Sequence, residues 1–261
     1  MLKLVANLKF LFNELDFMER FEAASKAGFK YVEFMFPYDY NQNEIKKQIE
    51  SYNLKLVLFN LPAGDWAAGD RGIAVDPARK EQFKDAVHQA IESANKFDVK
   101  QVNCLVGLAP DTEDRDKLWE NLTDNTYFAC KELRKNNINL LLEPINHYDI
   151  PGFFLNTTTD VVKLIEEVNQ PNLLLQYDVY HADRENEDHR YVLRSHIEQI
   201  GHIQIADNPG RNQPGTGKID FETIFSDIQT SSYQGYVAME YKPDPDTNTS
   251  LEWIANYGLE L

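Results

Sequence analysis

The sequence predicts a closed barrel of eight parallel strands, each followed by a helix. Three observations lead there. Short apolar runs alternate with longer amphipathic segments; this strand-then-helix unit recurs eight times in 261 residues; and no Ser/Gly/Pro-rich linker interrupts the series. Strands alternating with helices build parallel sheets, and eight units in about 250 residues match a (β/α)8 TIM barrel. An open doubly wound sheet wants a glycine-rich turn after its first strand, and "VANLKFLFN" has no glycine there. Residues 1–261 are therefore read as one barrel domain.

Each unit follows from local pattern. "LKLVAN" reads as a strand, and "DFMERFEAASKAG" follows with apolar Phe17, Phe21 and Ala24, a capping Asp16 and a terminating Gly28. "YVEFMF" leads to "NEIKKQIESY", "LKLVLFN" after a long loop to "EQFKDAVHQAIESANKF", and "KQVNCLV" to "KLWENLTDNTYFACKELRKN". "NLLLEP" precedes "TTDVVKLIEEV", "LLLQYD" precedes "EDHRYVLRSHIEQI", "GHIQIAD" precedes "FETIFSDIQT", and "GYVAMEYKP" precedes "TSLEWIANYG". Leu140, Leu141 and Leu142 form a run without alternation, the mark of a strand buried on both faces, yet Glu143 stands at its end. A carboxylate in such a place has to be paired, bound to a metal or used in chemistry.

A net charge of −16 repels phosphate backbones and anionic lipid heads, which argues against nucleic-acid and membrane-surface partners. It leaves room for a small anionic substrate held by a few local cations. Cys104 falls on a strand and Cys130 on a helix, without a CxxC or zinc spacing, so a reducing, cytoplasmic setting is expected. The N-terminal "MLKLVANLKFLF" resembles a signal sequence only superficially, because Asn7 and Lys9 interrupt it. No apolar segment approaches a membrane span. Pairing of an exposed barrel face with a second copy is left open.

The residues where strands give way to loops are Asn7, Glu33, Asn60, Asn103, Glu143, Asp178, Gln204 and Glu240. All eight are polar, and in a barrel those ends converge on the mouth where active sites lie. Glu143, Asp178, Gln204 and Glu240 would be four oxygen donors from adjacent strands. Three carboxylates together repel unless a cation neutralises them, and hard oxygen ligands without Cys or His favour Mg²⁺ or Mn²⁺ over Zn²⁺.

"EPINHYDIPGF", "LQYDVYH", "HIQIADNPGR", "PGTGKID" and "EYKP", with "NLPAGDWAAGDRG" and "VEFMFPYDY", resemble the hydroxypyruvate isomerases, within the wider group of xylose-isomerase-like barrels. The likeness covers nearly the whole chain. It implies that Glu143, Asp178, Gln204 and Glu240 bind the divalent metal and that Glu143 and Glu240 exchange protons with substrate. The implied reaction interconverts hydroxypyruvate and 2-hydroxy-3-oxopropanoate through an enediolate, which needs an acid/base pair and a positive charge beside the developing oxyanion. Arg71, His181, Arg211 and Lys242, in loops after strands 3, 6, 7 and 8, are the candidates to receive the substrate.

A 2-oxo-tetronate isomerase would need the same ligands. Ketose 3-epimerases usually carry histidine at the position of Gln204, and a DNA-repair endonuclease of this fold would want a His-rich zinc cluster and a basic groove, against six histidines and a charge of −16. "PGTGKID" is read as a loop entering a helix, Trp66 as a lid residue or a packed loop aromatic, and His147 and His202 as neighbours of the site. His88 and His196 are read as helix-surface or packing residues, and "ENEDH" as a solvated helix entrance.

Overall fold

The computed structural model describes residues 2–110 and 113–261. Met1, which opens the signal-like stretch, lies outside the described residues. The strands are β1 (Lys3–Asn7), β2 (Tyr31–Glu33), β3 (Lys55–Leu58), β4 (Gln101–Cys104), β5 (Asn139–Leu142), β6 (Leu173–Asp178), β7 (Ile200–Ile205) and β8 (Tyr236–Met239). They hydrogen-bond in the order β3-β2-β1-β8-β7-β6-β5-β4. The helices are α1 (Arg20–Lys26), α2 (Gln42–Ser51), α3 (Lys80–Phe97), α4 (Arg115–Arg134), α5 (Thr158–Val168), α6 (Val179–Arg184), α7 (His189–Ser195), α8 (Phe221–Thr230), α9 (Thr247–Ser250) and α10 (Trp253–Asn256).

The chain forms two compact units, Met1–Val57 with Tyr177–Leu261, and Leu58–Gln176. Both boundaries fall inside strands, β3 and β6. In the first unit β1 pairs in parallel with β2 and β8, and β7 with β8. In the second, β5 pairs in parallel with β4 and with the first half of β6. Leu140, Leu141 and Leu142 have no exposed surface, as their unbroken apolar run requires.

The helices follow their signals. In α3, Phe83, Ala86, Val87, Ala90, Ala94 and Phe97 form the buried stripe, and Asp98 closes the helix in the left-handed conformation. Each large side chain so buried contributes about 1.5–3 kcal/mol relative to exposure. Thr157 and Asp160 form a capping box on α5, and the Asp220 side chain accepts from the backbone amide of Thr223 at the start of α8. Gly28, at φ +103°, ends the first unit's α1.

Two elements differ from the expectation. The sixth unit carries the short helix α6 directly on the end of β6, so His181 lies on a helix and not in a loop. The eighth helix is broken into α9 and α10, where Ser250 Oγ bonds back to the Thr247 carbonyl and Trp253 Nε1 donates to Tyr241 Oη.

Candidate active site

In the first unit four strand-end side chains meet. Asn7 Nδ2 donates to Glu33 Oε1 at 2.8 Å and to Glu240 Oε2 at 2.9 Å. Gln204 Nε2 donates to the same two oxygens at 2.9 and 2.6 Å. Two amides thus bridge two carboxylates. Sheet register accounts for it: Asn7 pairs with Glu33, and Gln204 pairs with Ala238, two residues before Glu240 and therefore on the same face.

Arg211 enters from the loop after β7. Its Nη2 lies 2.6 Å from Glu240 Oε1, 3.5 Å from Asp178 Oδ2 and 3.5 Å from His181 Nε2. The guanidinium carbon stands 5.0 Å from the Phe10 ring and 4.9 Å from the Tyr180 ring, so two aromatic rings hold the cation. Asp178 has two duties: Oδ1 accepts from the backbone amide of Tyr180 at 2.8 Å, capping α6, while Oδ2 lies 3.6 Å from His181 Nε2. Beneath them His202 Nε2 sits 2.6 Å from Glu33 Oε2, both side chains essentially without solvent exposure.

Burial pushes the Glu240 carboxyl up to about 8; Arg211 pulls against that, and Asp178 and Glu33 push further in the same direction. Burial, then Arg211 and Arg184, holds His181 well below the usual imidazole range. Asp178 and Glu240 thus flank one guanidinium beside a neutral imidazole, and Glu33 shares two amides with Glu240. That oxygen-rich donor set fits a divalent cation.

Lys242 belongs to this unit by its backbone: its amide donates to the Arg211 carbonyl at 2.7 Å, while its side chain is exposed. The "PGTGKID" loop is held by buried Asp207, whose carboxylate accepts from the amides of Gly215, Gly217 and Ile219. His189, the last residue of "ENEDH", is no solvated entrance. Its Nδ1 is 2.7 Å from Tyr177 Oη and its Nε2 3.6 Å from Asp183, a carboxyl held far below its usual range by His189, with Asn208 and Lys218 adding to the effect.

In the second unit Glu143 Oε2 accepts from Asn103 Nδ2 and Gln176 Nε2, each at 2.9 Å. Asn103 pairs with Leu141, which places Glu143 on the same strand face two residues on. Arg71 is turned toward its own loop: Nη1 donates to the Asp70 and Trp66 carbonyls at 2.7 and 3.3 Å, and the guanidinium carbon lies 4.2 Å from the Trp66 ring. Asp70 braces that loop by accepting from the Asp65 amide and Arg79 Nη2. Gly72 is required there, since its φ is +114° and a Cβ would meet the Leu105 carbonyl oxygen at 1.9 Å. His147 is exposed beside Tyr148. His88 is exposed with its ring 6.0 Å from that of Phe128, and in the first unit His196 Nδ1 lies 2.8 Å from Gln199 Oε1.

Sequence reasoning placed Asn7 and Glu33 at strand ends without giving them a role, and left His202 as a neighbour of unspecified function. Strand alternation carries the missing signal: His202 is two residues before Gln204, hence on the same face.

A family model described as xylose isomerase-like TIM barrel matches residues 21–257. The hydroxypyruvate isomerase of Escherichia coli is 47% identical over 98% of this chain and 100% of its own length. The 2-oxo-tetronate isomerase of Cupriavidus necator is 36% identical, covering 98% of each chain. A crystal structure from Brucella melitensis titled AP endonuclease, family 2, superposes with a TM-score of 0.95 at 36% identity, over 98% of this chain and 99% of that one.

Proposed function

This chain belongs to the xylose isomerase-like TIM barrels and is an isomerase of that family, and from that premise we propose that it interconverts hydroxypyruvate and 2-hydroxy-3-oxopropanoate. The observation that carries the choice of substrate is the end-to-end 47% identity with a relative named for the first of these acids. The family model spans residues of both units, which supports reading 1–261 as one catalytic domain. Free, buried Cys104 and Cys130 support a reducing, cytoplasmic setting.

In this reading Glu143, Asp178, Gln204 and Glu240 hold Mg²⁺ or Mn²⁺, which when bound supplies positive charge to the substrate's oxygens. Glu143 and Glu240 handle the protons. One removes a proton from C3 of hydroxypyruvate, giving an enediolate; the other delivers a proton to C2 as the C3 hydroxyl's proton passes to the C2 oxygen, so that C3 becomes the aldehyde and C2 the carbinol. The Glu240 carboxyl, pushed up to about 8, is suited to both giving and taking a proton near neutrality. Arg211, held against the Phe10 and Tyr180 rings, and neutral His181 receive the substrate's oxygens, with Arg71 and Lys242 as further candidates for its carboxylate.

The second reading, a 2-oxo-tetronate isomerase, draws support from the 36% identity with the Cupriavidus relative. The test is solvent-deuterium incorporation with hydroxypyruvate, 2-oxo-tetronates and ketoses side by side. Fastest turnover of hydroxypyruvate is expected. Preference for a four-carbon acid would transfer the assignment to the second reading, and turnover of neutral ketoses alone would remove both.

A further inference from the structure

We propose that Glu33 is a positioning residue whose carboxylate, braced by His202, decides which end of the Gln204 amide faces the cation. The inference rests on the reading that Gln204 is a ligand of the divalent ion.

A glutamine amide has two orientations related by a half-turn, and they differ chemically: one presents a carbonyl oxygen, the other an NH₂ that repels a cation. In the first unit the choice is already made. The amide atom of Gln204 that lies 2.9 Å from Glu33 Oε1 and 2.6 Å from Glu240 Oε2 is the nitrogen, because Glu33 Oε1 is an acceptor, already taking a hydrogen bond from Asn7, and a carbonyl oxygen would have nothing to accept from it. The carbonyl oxygen is thereby turned away from both acids.

The two acids do not hold this orientation equally. Glu240 gains and loses a proton during the proposed reaction, so it is an intermittent acceptor. Glu33 is assigned no proton transfer. It is 1% exposed, its Oε2 lies 2.6 Å from His202 Nε2, and its Oε1 accepts from both Asn7 and Gln204. Asn7 passes the same constraint to Glu240 by donating to both carboxylates. Glu33 thus acts through two amides on the residues that would meet the ion, without needing to touch ion or substrate. Partners of this kind orient ligands and tune affinity.

The test is Glu33→Gln, which preserves shape and replaces an acceptor by a group that is half donor. Mn²⁺ alone is titrated calorimetrically into wild type and variant, and the Gln204 side-chain NH₂ is followed by ¹⁵N NMR, assigned by its loss in Gln204→Glu. In wild type that NH₂ pair is expected to exchange slowly with solvent. In Glu33→Gln the protection is expected to be lost and Mn²⁺ affinity to fall about 10–100-fold, with the thermal unfolding midpoint reporting whether the fold survives. If the variant does not fold, Glu33→Asp, which keeps the charge but withdraws it by one methylene, carries the same two measurements, with a smaller loss expected. Unchanged Mn²⁺ affinity in a folded variant would overturn the proposal whatever the NH₂ signal does. Absence of Mn²⁺ binding in wild type would instead overturn the ligand reading, and the NH₂ signal would still decide whether Glu33 fixes the amide.

Discussion

Glu143 in the second unit and Glu240 in the first are both strand-end glutamates, yet the partners each finds within its own unit differ. Glu143 is met by two neutral amides, from Asn103 and Gln176. Glu240 is met by two amides as well, and also by Arg211, with Asp178 and Glu33 raising its proton affinity. Amide donors satisfy a carboxylate without adding charge. A cluster of charges makes each group's protonation depend on the others, which is how a carboxyl is brought to titrate near neutrality. Three other buried polar groups of the second unit follow the neutral pattern: Asn121, Asn125 and Asn172 donate to backbone carbonyls.

The comparison breaks most directly at the glutamates. Glu240→Gln and Glu143→Gln should each lower kcat by at least about 10²-fold, the usual scale of general acid–base catalysis, with Mn²⁺ binding weakened much less. Near-normal turnover in both, with the ion still bound, would leave these side chains without a proton-transfer role.

Next in size are the arginines, one in each unit. Arg211→Met should raise KM for hydroxypyruvate about 10–100-fold, as a charged hydrogen bond of roughly 1.5–3 kcal/mol is lost. Arg71→Met should raise it less, because Arg71 already donates to the Asp70 and Trp66 carbonyls of its own loop. A larger effect at Arg71, measured with a neutral sugar as control, would reverse the order of the two units in substrate recognition.

Stability offers a smaller, signed test. A Glu240 carboxyl that titrates near 8 in the folded chain and near 4.5 when unfolded holds its proton longer in the folded state. His181, whose pKa is depressed, contributes in the opposite sense up to its unfolded value of 6.5, so the Glu240 contribution is read as the difference in stability between wild type and Glu240→Gln. In the metal-free protein that difference should fall as pH rises from about 4.5 to about 8, and added Mn²⁺ should flatten it. A difference that rises between those values would contradict the Glu240 assignment. The smallest expected effect is none at all: burial pushes the Cys104 and Cys130 thiols of the second unit up to about 12, so neither should react with a thiol reagent until the protein unfolds. Rapid labelling of the native protein would show that this unit opens locally.

The framework of the candidate site was legible in advance because each short apolar run gives way to a polar residue. Residue order alone placed Asn7, Glu33, Asn103, Glu143, Gln204 and Glu240 at or next to the ends of their strands. Helix α6 was not legible. Its sequence, "VYHADR", opens with a β-branched and an aromatic residue that favour extended backbone, and its cap, Asp178, is also the last residue of β6. His181 was consequently read in a loop. The Tyr177–His189–Asp183 chain was missed for a related reason, since a charged stretch before a helix is solvated by default and only packing reveals which member turns inward.

By itself the sequence determined the eight strand-and-helix units, the polar strand ends and the excess of acid, because these follow from local periodicity and composition. Only the tertiary structure decided which acids share hydrogen bonds, that Arg211 lies against Glu240, and that Glu33 rests on His202. Those pairings join residues up to 233 positions apart, Asn7 and Glu240 among them. Their proton affinities depend on distance and desolvation, and both quantities come into existence only when the chain has folded.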